Sequence, residues 1–314
     1  MATKRIPVIL DTDIGDDIDD TWALALLLKS PELDVKLVSA ATGDTTYRAK
    51  LIARLLETAG RADVPVGIGI PHTGGQTPPR QTAWVEGYAL DRYPGTVHRN
   101  GVQAIIETIM ASPEPVTLIS IGPLSDVAEA LRREPRIAER TRFTGMHGSV
   151  HWHITSNLTV AMQPGSCAEW NVLSDIPAAQ AVFAAPWLDA TITPLDTCAR
   201  VVLDGARYRR LCASHDPLMR AVLENYRLWA KTYDGNCNAE AQTSVLFDCV
   251  AVHLAHTTQW LGMRRLGIRV DAEGYTRVDA AARPFNVALE WENYEAYADD
   301  FAGRLIDKHG VIYG

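Results

Sequence analysis

The stretch Val8-Ile9-Leu10-Asp11-Thr12-Asp13-Ile14-Gly15-Asp16-Asp17-Ile18-Asp19-Asp20 decides how this chain is read. An apolar run ends in six aspartates within ten residues, and a second apolar run, Trp22 to Leu28, follows at once. The first run has the length of a buried parallel strand and the second reads as a buried helix. The acids therefore fall at the carboxyl end of the first strand, where open α/β sheets place their ligand sites. Six crowded carboxylates repel each other, and a hard cation with oxygen ligands, Ca²⁺ or Mg²⁺, would relieve the repulsion. A solvated acidic turn is the bland alternative, and such turns seldom stand between two apolar elements.

Working outward, strand and helix patterns alternate. Val35 to Ala41 reads as a strand, Arg48 to Thr58 as a helix stopped by Gly60, and Val64 to Ile70 as a third strand. Further strands are expected at Val116 to Ile121, Phe143 to Ser149, Ala190 to Leu195, Met263 to Val270 and Asn286 to Leu289. Helices are expected at Gln103 to Met110, from Ser125 to Arg133, from Asp175 to Ala184, after Asp216, after Asp248, and from Asn293 to His309. This rhythm predicts an α/β fold: an open, mostly parallel, Rossmann-like sheet covered by helices, in a single domain spanning 1–314. Residues 71–100 are rich in Pro, Gly and Thr and follow a strand's carboxyl end, so an active-site lid is expected there, with Trp84, Tyr88 or His98 available to close over a ligand.

Composition excludes several classes. The chain has 314 residues, 47 % hydrophobic and 22 % charged, as expected of a soluble globular protein. A net charge of -8 and the lack of a Lys/Arg-rich run argue against nucleic-acid binding. No apolar stretch reaches membrane-spanning length, and the first residues run straight into the first strand without a signal-peptide pattern. Five cysteines without metal-finger spacing suit reduced thiols in a cytoplasm.

Asp11-to-Asp20 resembles the amino-terminal signature of the nucleoside hydrolases of the inosine-uridine-preferring type, strand-DxDxGxDD-helix. This chain has Ile14 where the family commonly has Pro, and its acidic pair stands two residues further from the Gly. Literal spacing puts the pair at Asp17-Ile18; anchoring on the helix start puts it at Asp19-Asp20, which we prefer because helix geometry fixes where a ligand points. Four more elements follow in the family's order: Ile121-Gly122-Pro123-Leu124, the Gly145-Met146-His147-Gly148 turn, Ala168-Glu169-Trp170-Asn171, and Asp248 opening an apolar helix.

The resemblance implies a Ca²⁺-dependent N-ribohydrolase acting on a small-molecule ribonucleoside, assembled as a homodimer or homotetramer. It implies that Asp13, Asp20, Asp248 and the carbonyl of Ile121 hold Ca²⁺, and that Asp13 is the base for the attacking water. By the same resemblance Asp19, Met146, Glu169 and Asn171 would contact the sugar, Trp229 and Tyr233 the base, and Asp11 and Asp17 would support the ligands. Asp44, where the family often has Asn, is either a ribose-hydroxyl acceptor or an N-cap. One departure stands out: Phe247 precedes Asp248, where the family has a His linked to protonating purine leaving groups, and Phe donates no proton.

Other readings stay open. Asp11-x-Asp13 also suits a haloacid-dehalogenase-type Mg²⁺ phosphatase with Asp11 as nucleophile, although Gly15 stands where that family wants Thr or Val. A non-catalytic ribose-binding homologue is a third. His151 and His153 alternate as a metal pair would on a strand, without partners nearby that complete a zinc set.

Overall fold

The computed structural model describes residues 4–71, 79–232 and 237–306. From the amino terminus, β1 (Ile6–Thr12), β2 (Leu33–Ala40), β3 (Val66–Ile68) and β4 (Val97–His98) are laid down side by side in parallel. The chain then returns to the other flank of β1 with β5 (Val116–Ser120) and β6 (Thr141–Met146). β7 (Trp152–Ile154) and β8 (Met162–Pro164) form a separate antiparallel ribbon. β9 (Asp189–Thr193), β10 (Leu261–Val270), β11 (Thr276–Val278) and β12 (Pro284–Trp291) complete the main sheet. Its order is β11-β10-β12-β9-β6-β5-β1-β2-β3-β4, parallel throughout except where β10 runs against β12 and β11.

Helices cover both faces. They are α1 (Asp19–Leu28), α2 (Thr45–Thr58), α3 (Gly101–Ala111), α4 (Ser125–Arg133), α5 (Trp170–Leu173), α6 (Ile176–Ala184), α7 (Leu195–Cys198), α8 (Gly205–Cys212), α9 (Pro217–Ala230), α10 (Cys249–Leu254) and α11 (Tyr294–Ile306). Val8 and Leu10 point from β1 into the core shared with α1, α2, α9, α10 and α11, while Ile9 points into the core of α3, α4 and α6. That alternation is the period of a strand buried on both faces. α1 is buried around its whole circumference, Trp22 included, which accounts for its lack of a polar face.

The expected fold is the observed one. The differences are local: β3 is shorter than the apolar run Val64 to Ile70 because only three residues pair with β2. The short β4, β7, β8 and β11 carry too few residues to show a period. Among the described residues no helix is long and apolar enough to cross a membrane.

Strand order reverses at β1, whose neighbours β2 and β5 lead to opposite edges of the sheet. Such a switch point opens a crevice at the carboxyl ends of the strands. The loop between β1 and α1 sits there, and successive carbonyls pin it. Arg48 Nη1 donates to Ile14 O at 3.0 Å, Tyr47 Oη to Gly15 O at 3.2 Å, and Trp229 Nε1 to Asp16 O at 2.9 Å. Gly15 turns through a φ of +106°, and a Cβ there would stand 2.6 Å from both Leu51 and Tyr47. Gly15→Ala is therefore expected to destabilise the fold by about 1–3 kcal/mol, read as a lower urea midpoint at constant m; an unchanged midpoint would show that the turn is not constrained.

Candidate active site

A cavity of about 470 Å³ opens at the switch point. Its wall takes Asp13, Asp16, Asp17, Asp19 and Asp20 from the β1–α1 segment, and Ile121 and Met146 from the ends of β5 and β6. Glu169 and Asn171 come from the start of α5, and Phe247 and Asp248 from the start of α10. Asp13, Ile121 and Met146 meet because each lies at the carboxyl end of one of the neighbouring strands β1, β5 and β6, and the starts of α5 and α10 bring Glu169, Asn171 and Asp248 to the same edge.

Asp19, Asp20 and Asp248 form the tightest group, with one oxygen from each lying within 4.8 Å of the others. All three are buried. Asp19 and Asp20 occupy the first turn of α1, a favourable place for negative charge. Asp248 stands at the N-cap of α10, yet its side chain makes no capping hydrogen bond, so the cap role is not what holds it. Its backbone N–H donates to Asp19 Oδ2 at 3.3 Å. Thr12 Oγ1 donates to Asp20 Oδ1. Asp13 is close enough to raise Asp20 and Asp248 by repulsion, and it abuts Gly122: a Cβ there would stand 2.8 Å from Asp13 Oδ1, so glycine in the Gly122-Pro123 corner lets the carboxylate approach.

Burial first, and mutual repulsion second, raise these acids. Asp20 and Asp248 are driven well above the ordinary carboxylate range. Burial raises Asp19 to about 8, with Asp17 adding to the effect, and raises Asp13 to about 7 against the opposing pull of Arg48. A buried all-oxygen donor set that resists its own ionisation is suited to a hard divalent cation, which removes both the desolvation and the repulsion.

Glu169 caps α5, accepting from Asn171 N at 2.8 Å, Val172 N at 3.3 Å and Gly148 N at 2.9 Å, while burial raises it to about 7. Asn171 Nδ2 donates to Ile121 O and to Met146 O, both at 3.1 Å. The Ile121 carbonyl is thereby directed toward the cavity side chains. Asp17 accepts from Asn157 Nδ2 at 3.1 Å.

Several expectations need correction. Asp44 is exposed, caps α2 by accepting from Tyr47 N at 2.9 Å, and does not line the cavity. Trp229 is buried and packs on Tyr226; it holds the acidic loop through Asp16 O and does not line the cavity. Tyr233 lies outside the described residues. Asp11 is fully buried beneath the cavity and raised by burial, then by Asp126 and Asp13. A nucleophile in that position cannot reach a substrate, which removes the phosphatase reading. Trp84, Tyr88 and His98 do not line the cavity; Trp84 Nε1 instead donates to Glu224 at 3.2 Å. His151 and His153 stand away from the acids, and His153 Nδ1 bonds Gly165 O at 2.9 Å. Arg48, Arg80 and Asn157 were not singled out by sequence, since nothing in their spacing marks them.

The fold is an α/β sheet with a buried acid cluster at its switch point, a cluster whose oxygens could hold a metal ion, and a Glu/Asn pair in the same cavity. The family model of the inosine-uridine preferring nucleoside hydrolases matches residues 8–298. The pyrimidine-specific ribonucleoside hydrolase RihA of Salmonella arizonae is 31 % identical over 235 residues, 70 % of each chain. The probable uridine nucleosidase 1 of Oryza sativa subsp. japonica is 25 % identical over 93 % of this chain and 90 % of its own. Among solved structures, the plant nucleoside hydrolase PpNRh1 superposes with a TM-score of 0.79 at 21 % identity, covering 96 % of this chain and 99 % of that one. The chain belongs to the nucleoside hydrolase family and is a hydrolase of N-glycosyl bonds.

Because Asp13, Asp19 and Glu169 bind protons more tightly folded than unfolded, the cation-free protein should lose stability as pH rises from about 4 to about 8. The unfolded chain releases those protons near pH 4 and the folded chain only near pH 7 to 8. A divalent cation should restore more stability at pH 8 than at pH 5, because it replaces the protons. Urea titrations with chelator or cation at the two pH values check this; equal stabilisation at both would mean that these acids do not hold the ion.

Proposed function

We propose that the protein is a Ca²⁺-dependent N-ribohydrolase that splits a ribonucleoside into ribose and free base. The observation that carries this is the meeting, in one cavity, of the buried Asp19/Asp20/Asp248 cluster with Asp13, Glu169 and Asn171. Asp13, Asp20, Asp248 and the Ile121 carbonyl would hold the ion, with Asp19 at its edge. Bound there, Ca²⁺ would neutralise the acids and polarise the attacking water and the sugar hydroxyls.

The side chains supply the rest. Asp13 accepts a proton from the water as its oxygen bonds C1′. The C1′–N bond breaks, and its electron pair leaves with the base. The surrounding carboxylates stabilise the positive charge that develops on the sugar. Asp19 accepts a hydrogen bond from a ribose hydroxyl, and Glu169 with Asn171 takes the 5′-hydroxyl end. Burying the Glu169 carboxylate there disfavours a 5′-phosphate, which makes nucleosides better substrates than nucleotides. The names of the relatives make a pyrimidine ribonucleoside the first substrate to try. A cytoplasmic homodimer or homotetramer completes the proposal, on the grounds of the family resemblance and five unbridged thiols.

Reducing-sugar release from inosine, uridine and cytidine with Ca²⁺ should fall by about 10²–10⁴ or more in Asp13→Ala and vanish with chelator. Ligand-bound but unhydrolysed nucleoside in the wild type would instead leave a ribose-binding homologue. Phe247 lines the cavity beside Asp248, at the position where the resemblance would put a His. Phe247→His is expected to raise inosine turnover relative to uridine; a folded, cation-loaded variant without that gain would show that the missing acid does not limit purines.

A further inference from the structure

Cleavage of an N-glycosyl bond needs a destination for the electron pair that departs with the base. A purine can be protonated on its ring as it leaves, a cationic base needs no help, and an oxo-pyrimidine leaves with negative charge spread onto the carbonyl beside its glycosidic nitrogen. The cavity wall distinguishes these. Among the described lining residues there is no His, Lys or Tyr, and Phe247 fills the position beside Asp248. Seven carboxylates line the cavity, and the one cationic side chain among the described lining residues is Arg80.

Arg80 reaches the cavity beside the acidic loop that carries Asp13 and Asp19, away from the α5 segment that carries Glu169 and Asn171. Its backbone N–H donates to Gly15 O at 3.2 Å, and its Nη1 donates to Thr232 Oγ1 at 2.7 Å just beyond α9. The side chain is thus set between the acidic loop and the end of α9, whereas Glu169 and Asn171 enter from α5. With the sugar on Asp13, Asp19, Glu169 and Asn171, the lining left for the base includes Arg80, Phe247, Ile154 and Asn157. A guanidinium stays charged at any working pH and offers a planar fork of donors, the geometry that suits a carbonyl oxygen gaining negative charge.

Resting on the hydrolase reading and on the pyrimidine ribonucleosides that the relatives' names suggest, we infer that Arg80 is the leaving-group residue. As C1′–N breaks, the electron pair passes into the ring and onto the adjacent carbonyl oxygen, where the Arg80 guanidinium donates hydrogen bonds. The water's proton resides on Asp13, and the departing base takes up a proton from solvent, giving neutral base and free ribose. Phe247 supplies an apolar surface and no competing acid. This role of Arg80 is electrostatic, so it acts on the transition state of an anionic leaving group and not on that of a cationic one.

The experiment compares kcat/KM for uridine and for an N-ribosylpyridinium in wild type, Arg80→Ala and Arg80→Lys. The uridine-to-pyridinium ratio should fall about 10²–10³-fold in Arg80→Ala and recover in part in Arg80→Lys. The main-chain bond to Gly15 survives either change, and cation binding followed by calorimetry verifies an intact acid cluster. A ratio that holds while both substrates fall together would make Arg80 a wall of the cavity and overturn the proposal, as would an unaltered uridine rate. No ribose from either substrate would sink the hydrolase reading itself, and this inference with it.

Discussion

Electrostatic repulsion among buried carboxylates is the constraint on which this structure depends. Asp19, Asp20 and Asp248 are brought within a few ångströms of one another out of water, and each is raised by burial before its neighbours add to the effect. Left to itself, such a cluster would splay or take up protons. It persists because the backbone around it is fixed by bonds that do not involve the acids. Arg48, Tyr47 and Trp229 bind the consecutive carbonyls of Ile14, Gly15 and Asp16, and the buried side chains of Ile14 and Ile18 anchor the loop from below. The apolar core and the loop carbonyls supply the rigidity, leaving the carboxylates for a ligand.

That division explains what could be read from sequence. The apolar run before Asp11 and the one after Asp20 carry enough period and length to identify β1 and α1, and with them the parallel sheet and its switch point. Gly122-Pro123 was legible because it follows the apolar run of β5, whereas Glu169-Asn171 and Asp248 follow irregular segments and were legible only through the order of motifs in the resembling family. Legibility stopped where direction depends on tertiary packing. Trp229 has the helical spacing of a contact residue, yet it faces the loop backbone. Asp44 offers the same oxygens to a sugar or to a helix end, and the turn geometry directs them to Tyr47 N. Arg80 follows a Pro- and Gly-rich stretch with no period, so only the fold reveals that its side chain borders the acids.

The acidic loop and the helix that follows it are held in different ways. Asp16 and Asp17 stand in the cavity wall, while Asp19 and Asp20 take the first turn of α1. That helix start is held by the buried packing of Trp22 and its neighbours. The loop before it is held at its carbonyls by Arg48, Tyr47 and Trp229. Asp17 is caught by Asn157, which links the loop to the segment joining β7 and β8.

Phe247 and Arg80 are then two sides of one change in electrostatics. A His before Asp248 would place a titratable donor beside an acid cluster, where its protonation would vary with the occupancy of the cluster. Phe removes that coupling and leaves a dry surface. In a cavity so rich in carboxylates, a positive charge that cannot titrate is the one donor whose state is independent of pH and of the ion, and Arg is the side chain that provides it. The acids bind and polarise the sugar, whose charge becomes positive during cleavage, while the guanidinium faces the base, whose charge becomes negative. Separating the two signs across the breaking bond lowers the energy of that charge separation without any proton having to move to the base in the same step.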